Sequence, residues 1–190
     1  MADFITYSAD YIKQYSIIND NADAKLITPT IRLVQEKYIK PLLGTDLFNE
    51  IKGEIIAGSV SSDNQTLLDD YLMNVVVNYT LLECTPIFKY RYMNRGIAVN
   101  NAENSTSADL NEIKFMMDKW RNDAEFFAER TTKFIKRVNS NDPTKYANYF
   151  NNMDCDDIKP NRTNYSTSIY LGDAGLTEKQ ENDIRIGKYQ

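Results

Sequence analysis

The residue types that most often carry catalysis or bind metal ions are missing from this sequence or poorly spaced in it. There is no histidine, so the commonest general base and metal ligand of proteins is missing. The acidic stretch Asp154 to Asp157 lacks the spaced ligands, central glycine and terminal glutamate of a calcium loop. No glycine-rich phosphate loop, nucleophile elbow or cysteine pair with metal-binding spacing occurs. The sequence therefore predicts no enzyme, no metal site and no cofactor.

One stretch, "PIFKYRYMNRG" at residues 86–96, alternates aromatic with basic side chains. Such residues can stack on nucleic-acid bases or anchor a protein interface, and they can also form a helical turn with its aromatics inward. The net charge of −5 argues against DNA binding, which needs a concentrated basic surface. A protein interface is therefore favoured, and its candidate residues here are Phe88, Tyr90, Arg91, Tyr92 and Arg95.

The elements that would position this stretch are predicted to be helices. A short helix is expected at residues 6–18. The next is expected to begin with Thr28 as N-cap and Pro29 at the first helical position. That helix should break at Pro41–Gly44, because Pro41 cannot extend a regular helix without the loss of a backbone bond. Gly44 in a left-handed conformation would then form a tight corner, with Thr45 capping a further helix that ends at Gly58.

Two longer helices follow in the sequence. The first should start at a capping box on Ser62 and Gln65, and Pro86 should kink it or end it near Thr85. Residues 97–107 are predicted to be an exposed loop, and Thr106 should cap the longest helix, about 108 to 138. Two apolar stripes at spacings of three and four are predicted to face the core: Leu68, Leu72, Val75, Val76, Tyr79 and Leu82; and Ile113, Met117, Trp120, Ala124, Phe127, Thr131, Phe134 and Val138.

The composition changes after Asn139, where Asn, Asp, Tyr, Pro and Ser dominate. We predict an all-α protein: residues 1–139 form a small bundle of about four helices, and residues 140–190 an extended, mostly irregular C-terminal arm. Only Thr167 to Gly172 resembles a strand. The arm is either a partner surface or disordered. No signal peptide and no apolar stretch long enough to cross a bilayer is visible, so synthesis and use in a reducing cytoplasm, without membrane contact, are expected.

The N-terminal part, "TYSADYIKQYSIINDNADAKLITPTIRLVQEKYIKPLLGTDLFNEI", resembles the head-to-tail connector proteins of tailed bacteriophages, also called adaptor or ring proteins. It is most similar to those of phages that infect Bacteroides-type hosts, including the crAss-like group. The helix ending in "YIKPLLGTDL", the aromatic–basic segment with "NRG" and the tail "IKPNRTNYSTSIYLG" carry the resemblance.

The resemblance implies a structural virion protein in the neck of the particle. Several copies, commonly a dodecamer, would form a ring beneath the portal protein, extend the DNA channel and dock the next tail or ring protein. DNA would pass through without specific binding, since an acidic wall does not hold phosphates. A ring contact is head-to-tail, so each subunit needs two different complementary patches. The aromatic–basic stretch is one candidate patch, and the tail supplies the other through Tyr165, Ile169, Tyr170 and Leu171.

Two other functions fit the residues. One is another phage helical interaction module, of the tail-completion or scaffolding type, which differs from a connector in not matching the symmetry of the portal. The other is a small nucleic-acid-binding helical protein that uses residues 86–96, for which DNA binding should depend on salt.

Overall fold

The computed structural model describes residues 6–93, 96–99 and 109–150, together with Pro160; for residues 91–93 and 96–99 it describes the backbone alone. In this part of the chain the protein is all-α, as predicted, apart from one short hairpin. The longer helices, α2, α4, α6 and α7, form the predicted bundle, and α6 packs against both α2 and α7.

The first two helices start at side-chain caps. Helix α1 is Ala9–Gln14, and the Ser8 hydroxyl accepts a hydrogen bond from the Tyr11 N–H. Helix α2 is Ala24–Val34 and is capped by the Asp23 carboxylate. The predicted start at Thr28 and Pro29 is therefore wrong. Pro29 lies inside α2, where the complete burial of Ile27 extends the apolar face back by a turn and offsets the missing backbone bond.

Of the predicted break at Pro41–Gly44, the end at Gly44 is confirmed, but Pro41 does not interrupt the helix. Helix α2 continues through a π turn, Gln35–Ile39, into α3, Lys40–Leu43, which contains Pro41. In the π turn the N–H of Lys40 donates to the carbonyl of Gln35, five residues earlier. The helix is widened at the point where the proline has no N–H to donate, so it can continue.

The corner after α3 is formed by Gly44, with φ 78° and ψ 161°. The positive φ is as predicted, but ψ is not that of a left-handed helix; this region is nearly exclusive to glycine. Helix α4, Thr45–Ala57, follows at once, and Gly44 is its N-cap in place of the predicted Thr45. Gly58 ends α4 in the left-handed conformation, as predicted.

Helix α5 is Ser62–Thr66 and is capped by Ser61, one residue before the predicted Ser62. A second π turn, Leu67–Leu72, joins it to α6, Met73–Lys89. Of the two effects expected of Pro86, a kink or an end near Thr85, the end is wrong, because α6 includes Pro86. The Thr85 hydroxyl donates to the Leu81 carbonyl at 2.7 Å, and packing between α2 and α7 holds the last turn despite the missing N–H. The predicted stripe on this helix is confirmed, with all members buried or half-buried.

The chain leaves α6 as an antiparallel hairpin. Strand β1, Tyr90–Met93, pairs with β2, Gly96–Val99, with Tyr90 opposite Val99. The helical turn considered for residues 86–96 and the loop predicted from residue 97 are therefore wrong at these positions. The alternating aromatic and β-branched residues here suit a pleated ribbon better than a helix.

Helix α7, Leu110–Asn141, is the longest in the described part of the chain. Its N-cap is Asp109, whose N–H donates to the Glu112 carboxylate at 2.9 Å in a capping box. The predicted cap Thr106 lies outside the described residues. The predicted stripe is confirmed, since Ala124 and Thr131 are completely buried and the other members are buried or half-buried. Phe134 stacks on Tyr71, which lies in the second π turn, with ring centroids 3.9 Å apart.

The described residues that follow α7 pack on the bundle. Helix α8 is Ala147–Phe150, and both Tyr146 and Tyr149 are buried in the core. The Tyr146 hydroxyl donates to the Asp63 carbonyl at 2.6 Å. The first ten or so residues assigned to the arm therefore belong to the bundle. Apart from Pro160, the rest of the predicted arm, with its strand-like segment, lies outside the described residues.

Candidate docking groove

An open apolar groove lies at one end of the bundle, with a volume of about 530 Å³. Its walls come from three parts of the chain: the connection between α1 and α2, the last turns of α6 and the first turns of α7. The lining residues are Ile17, Ile18, Asn19, Ala22, Leu81, Cys84, Thr85, Phe88, Lys89, Glu112, Ile113, Met116 and Trp120. The volume is typical of sites that bury a ligand or several side chains of a partner.

The floor of the groove is formed by its most buried residues, Leu81, Cys84 and Ile113. Burial raises the pKa of the Cys84 thiol to about 11, although a hydrogen bond with Thr30 opposes the shift. The thiol is therefore neutral at physiological pH and acts as a small apolar side chain. The floor provides apolar contact area and no nucleophile.

The sides and rim combine large apolar surface with two charges. Phe88, Met116 and Trp120 are half-buried, while Ile17 is 70% exposed. The two charged lining residues are of opposite sign. Lys89 has its ammonium 5.7 Å from the centroid of the Tyr90 ring, and Glu112 belongs to the capping box of α7. A surface of this kind can bind an apolar segment and orient it by the charges at its ends.

The predicted interface residues do not all meet at this groove. Phe88 lines it. Tyr90, Arg91 and Tyr92 lie in β1, which continues directly from the α6 wall. Arg95, Tyr165, Ile169, Tyr170 and Leu171 lie outside the described residues. The structure therefore brings one predicted residue into the groove and three to the neighbouring hairpin.

Sequence reasoning missed the other two walls of the groove. Trp120 and Ile113 were predicted as core residues of α7. Ile17 was predicted to lie in a helix at residues 6–18, whereas α1 ends at Gln14 and Ile17 lies in the connection to α2. One signal in the sequence was available. Apolar residues at 115, 116 and 117 broaden the stripe of α7 near its start, more than packing against one neighbouring helix requires.

A polar cluster on the side of the bundle links the first π turn to α6. The Glu83 carboxylate accepts hydrogen bonds from the Lys37 ammonium at 2.7 Å and from the Tyr38 hydroxyl at 2.6 Å. Burial alone would raise the pKa of Glu83, but these two bonds and the charge of Lys37 outweigh it and lower the pKa. The Tyr38 ring also stacks on Tyr79, with centroids 3.9 Å apart. All three groups pair with one another, so the cluster is explained by stability.

In the part of the chain that the structure describes, no group of three or more Cys, Asp or Glu side chains is placed to hold a metal ion. Within the same residues, no helix combines the length and the apolar character needed to cross a bilayer.

The chain that forms this α-helical bundle and its end groove matches one protein family. The chain belongs to a family of unknown function, DUF6712, which matches residues 39–159 and thus more than half of the chain. The match includes the Gly44 corner, the α6 and α7 walls of the groove and the hairpin. No curated protein and no solved structure matches the chain.

Proposed function

We propose that this protein is a structural virion protein that forms a ring between the portal and the tail of a bacteriophage, extends the DNA channel and docks the next tail component. The proposal starts from the sequence resemblance of residues 6–51 and of the tail to phage connector proteins. The structural observation that carries it is that one subunit has two separate apolar surfaces open to a partner.

The first surface is the groove, whose rim residue Ile17 is 70% exposed. The second lies on α7, where Phe115 is 71% and Phe126 63% exposed. These two phenylalanines are about three helical turns apart, so they share one face of the helix. Large exposed apolar groups that recur on one face favour a protein interface.

Two distinct surfaces are what a ring subunit needs. A closed ring made by head-to-tail contacts uses different patches on each side of the subunit, and a connector contacts portal and tail components as well. The net charge of −5 fits a channel through which DNA passes, because like charge on the wall limits adhesion of phosphates.

The test is assembly of the purified protein, alone and mixed with its portal, followed by light scattering and negative-stain electron microscopy. Closed rings, or a collar on the portal that matches its symmetry, are expected. Phe115→Ser combined with Phe126→Ser should weaken assembly, whereas Ile56→Ser, which removes a side chain that is 60% exposed on α4, should leave it unchanged. A protein that stays monomeric and ignores the portal would refute the proposal.

An interaction module of the tail-completion or scaffolding type would bind partners without the symmetry of the portal, so stoichiometry separates it from a connector. Salt-dependent binding of DNA would instead favour the nucleic-acid-binding alternative, with the hairpin strand β1 and Phe88 as its surface.

A further inference from the structure

We infer that the groove is a receptor for residues 165–171 of a neighbouring copy of this chain. The inference rests on the proposed function for the ring in which such copies meet. It goes further by naming what occupies the groove, and it has its own test. It assigns the groove as one patch of the head-to-tail pair and the segment Tyr165 to Leu171 as the other.

The first argument is the chemical match between the two. The segment "YSTSIYL" is uncharged, and its bulky residues are Tyr165, Ile169, Tyr170 and Leu171. The groove is apolar in its floor and sides and carries only Lys89 and Glu112 as charged lining residues. Arg162 precedes the segment and Asp173 follows it, so each charge of the groove has a counterpart of opposite sign on the flanks of the segment.

The second argument is the place from which the segment departs. Pro160 is buried against Gly44, and a Cβ at Gly44 would lie 2.7 Å from the Pro160 Cδ. Gly44 follows the end of α3, whereas the groove lies beside Ala22 at the start of α2. At 1.5 Å per residue these points are about 30 Å apart. The segment therefore starts from the end of the bundle opposite the groove.

This separation decides between the groove of the same chain and that of a neighbour. An extended chain spans at most about 3.6 Å per residue, so Tyr165 can lie no farther than about 18 Å from Pro160. Ile169 could reach its own groove only along a straight and fully extended path. The whole segment therefore cannot fill the groove of its own chain, whereas the groove of a neighbouring copy can lie within its reach.

The protein contains its own reporter for this contact, because Trp120 is its one tryptophan and lines the groove. Indole emission moves to shorter wavelength when apolar side chains replace water around the ring. Filling the groove should therefore shift the emission of the protein, and a peptide without tryptophan does not interfere.

The experiment titrates a peptide of residues 162–173 into a full-length variant that carries Ile169→Ser, Tyr170→Ser and Leu171→Ser. The groove of this variant is intact, and its own segment cannot compete with the peptide for the groove. A saturable blue shift of Trp120 is expected, with a dissociation constant of about 10–300 µM, since many weak contacts close a ring together. A peptide with the same three serines is the matched control. Met116→Glu should abolish the shift, and Ile17→Asp, at an exposed position that leaves the fold intact, should weaken it.

Two results of this titration would overturn the inference. One is the absence of saturation up to about 1 mM peptide. The other is an emission of the wild-type protein that is already blue-shifted relative to the serine variant and does not change on dilution, because the segment would then occupy its own groove. Rings that form on the portal without a role for the segment would refute the inference and leave the proposed function intact. Peptide binding without any ring would support the inference and refute the proposed function.

Discussion

The Gly44 corner gives a prediction whose magnitude can be worked out from the structure. Gly44→Ala adds one methyl group at a position that meets two separate penalties. The backbone has φ 78° and ψ 161°, a region that costs a residue with a Cβ about 1–3 kcal/mol. The new Cβ would also lie 2.7 Å from the Cδ of Pro160, closer than such atoms approach, so the buried proline must move. Overpacking of this kind costs about 1–3 kcal/mol more.

Two other glycines of α4 serve as controls that isolate these penalties. Gly58 has a positive φ of 68°, but no atom lies within 4 Å of the Cβ position, so Gly58→Ala should cost about 1 kcal/mol through the backbone alone. Gly53 lies inside the helix and also has open space around it. Gly53→Ala should therefore stabilise the protein by about 0.5–1 kcal/mol. The expected order of stability is Gly53→Ala, wild type, Gly58→Ala and, last, Gly44→Ala.

The assay is urea denaturation of the full-length chain followed by circular dichroism, with the free energy of unfolding taken from the midpoint and slope. Pro160→Ala removes the two nearest atoms, so a double-mutant cycle isolates the contact. Gly44→Ala should cost less in that background, with a coupling of about 1 kcal/mol or more. A cost no larger than that of Gly58→Ala, together with additive effects in the cycle, would show that Pro160 does not pack on the corner.

Three further predictions concern other parts of the bundle. Lys37→Met should lower the free energy of unfolding by about 1 kcal/mol or less, because the ammonium is half exposed and screened by water. Since the pKa of Glu83 is lowered in the folded protein, this destabilisation should be present above the pKa of an unfolded glutamate, about 4.3, and should vanish as the pH falls through the lowered pKa of Glu83. Denaturation at several pH values would detect this dependence. Tyr146→Phe should cost about 1 kcal/mol in the same assay, because it removes the bond to the Asp63 carbonyl, and an unchanged midpoint would contradict the docking of α8. Cys84 should resist alkylation in the native protein at neutral pH and react after unfolding, whereas rapid native labelling, located by peptide mapping, would contradict its burial.

The regular parts of the fold could be predicted because they depend on local periodicity. The stripe of α7 from Ile113 to Val138 and the end of α4 at Gly58 follow from residue spacing and from the one amino acid that tolerates a left-handed conformation. The same reasoning failed at Pro29, Pro41 and Pro86. Pro29 was assumed to begin a helix, and Pro41 and Pro86 to interrupt one, but tertiary burial or a widened turn outweighs one missing hydrogen bond.

The groove could be predicted only in part, since it is built from chain segments that are distant in the sequence. Phe88 was identified from its aromatic–basic neighbourhood. Ile17, Met116 and Trp120 come together with it only through the packing of α7 on α6 and the position of the α1–α2 connection. The stripe of α7 runs past the end of the helix on which it packs, and its residues there line the groove instead of the core. The spacing of residues along the chain does not show where this happens.

The two π turns have a consequence for how this chain tolerates changes of length. Each fits one residue more into a turn than an α-helix would, so Val34 and Ile39, and likewise Leu67 and Leu72, are five positions apart and all buried. In a regular α-helix, with about 100° per residue, two residues five positions apart point in directions about 140° apart and do not share a face. Deleting one residue inside either π turn should therefore convert it into an ordinary α-helical turn and leave the buried residues on both sides facing the core. A deletion in a regular part of α6 or α7 should instead rotate the rest of that helix by about 100° away from the core. A deletion in the exposed connection at residues 59–61 should be absorbed locally.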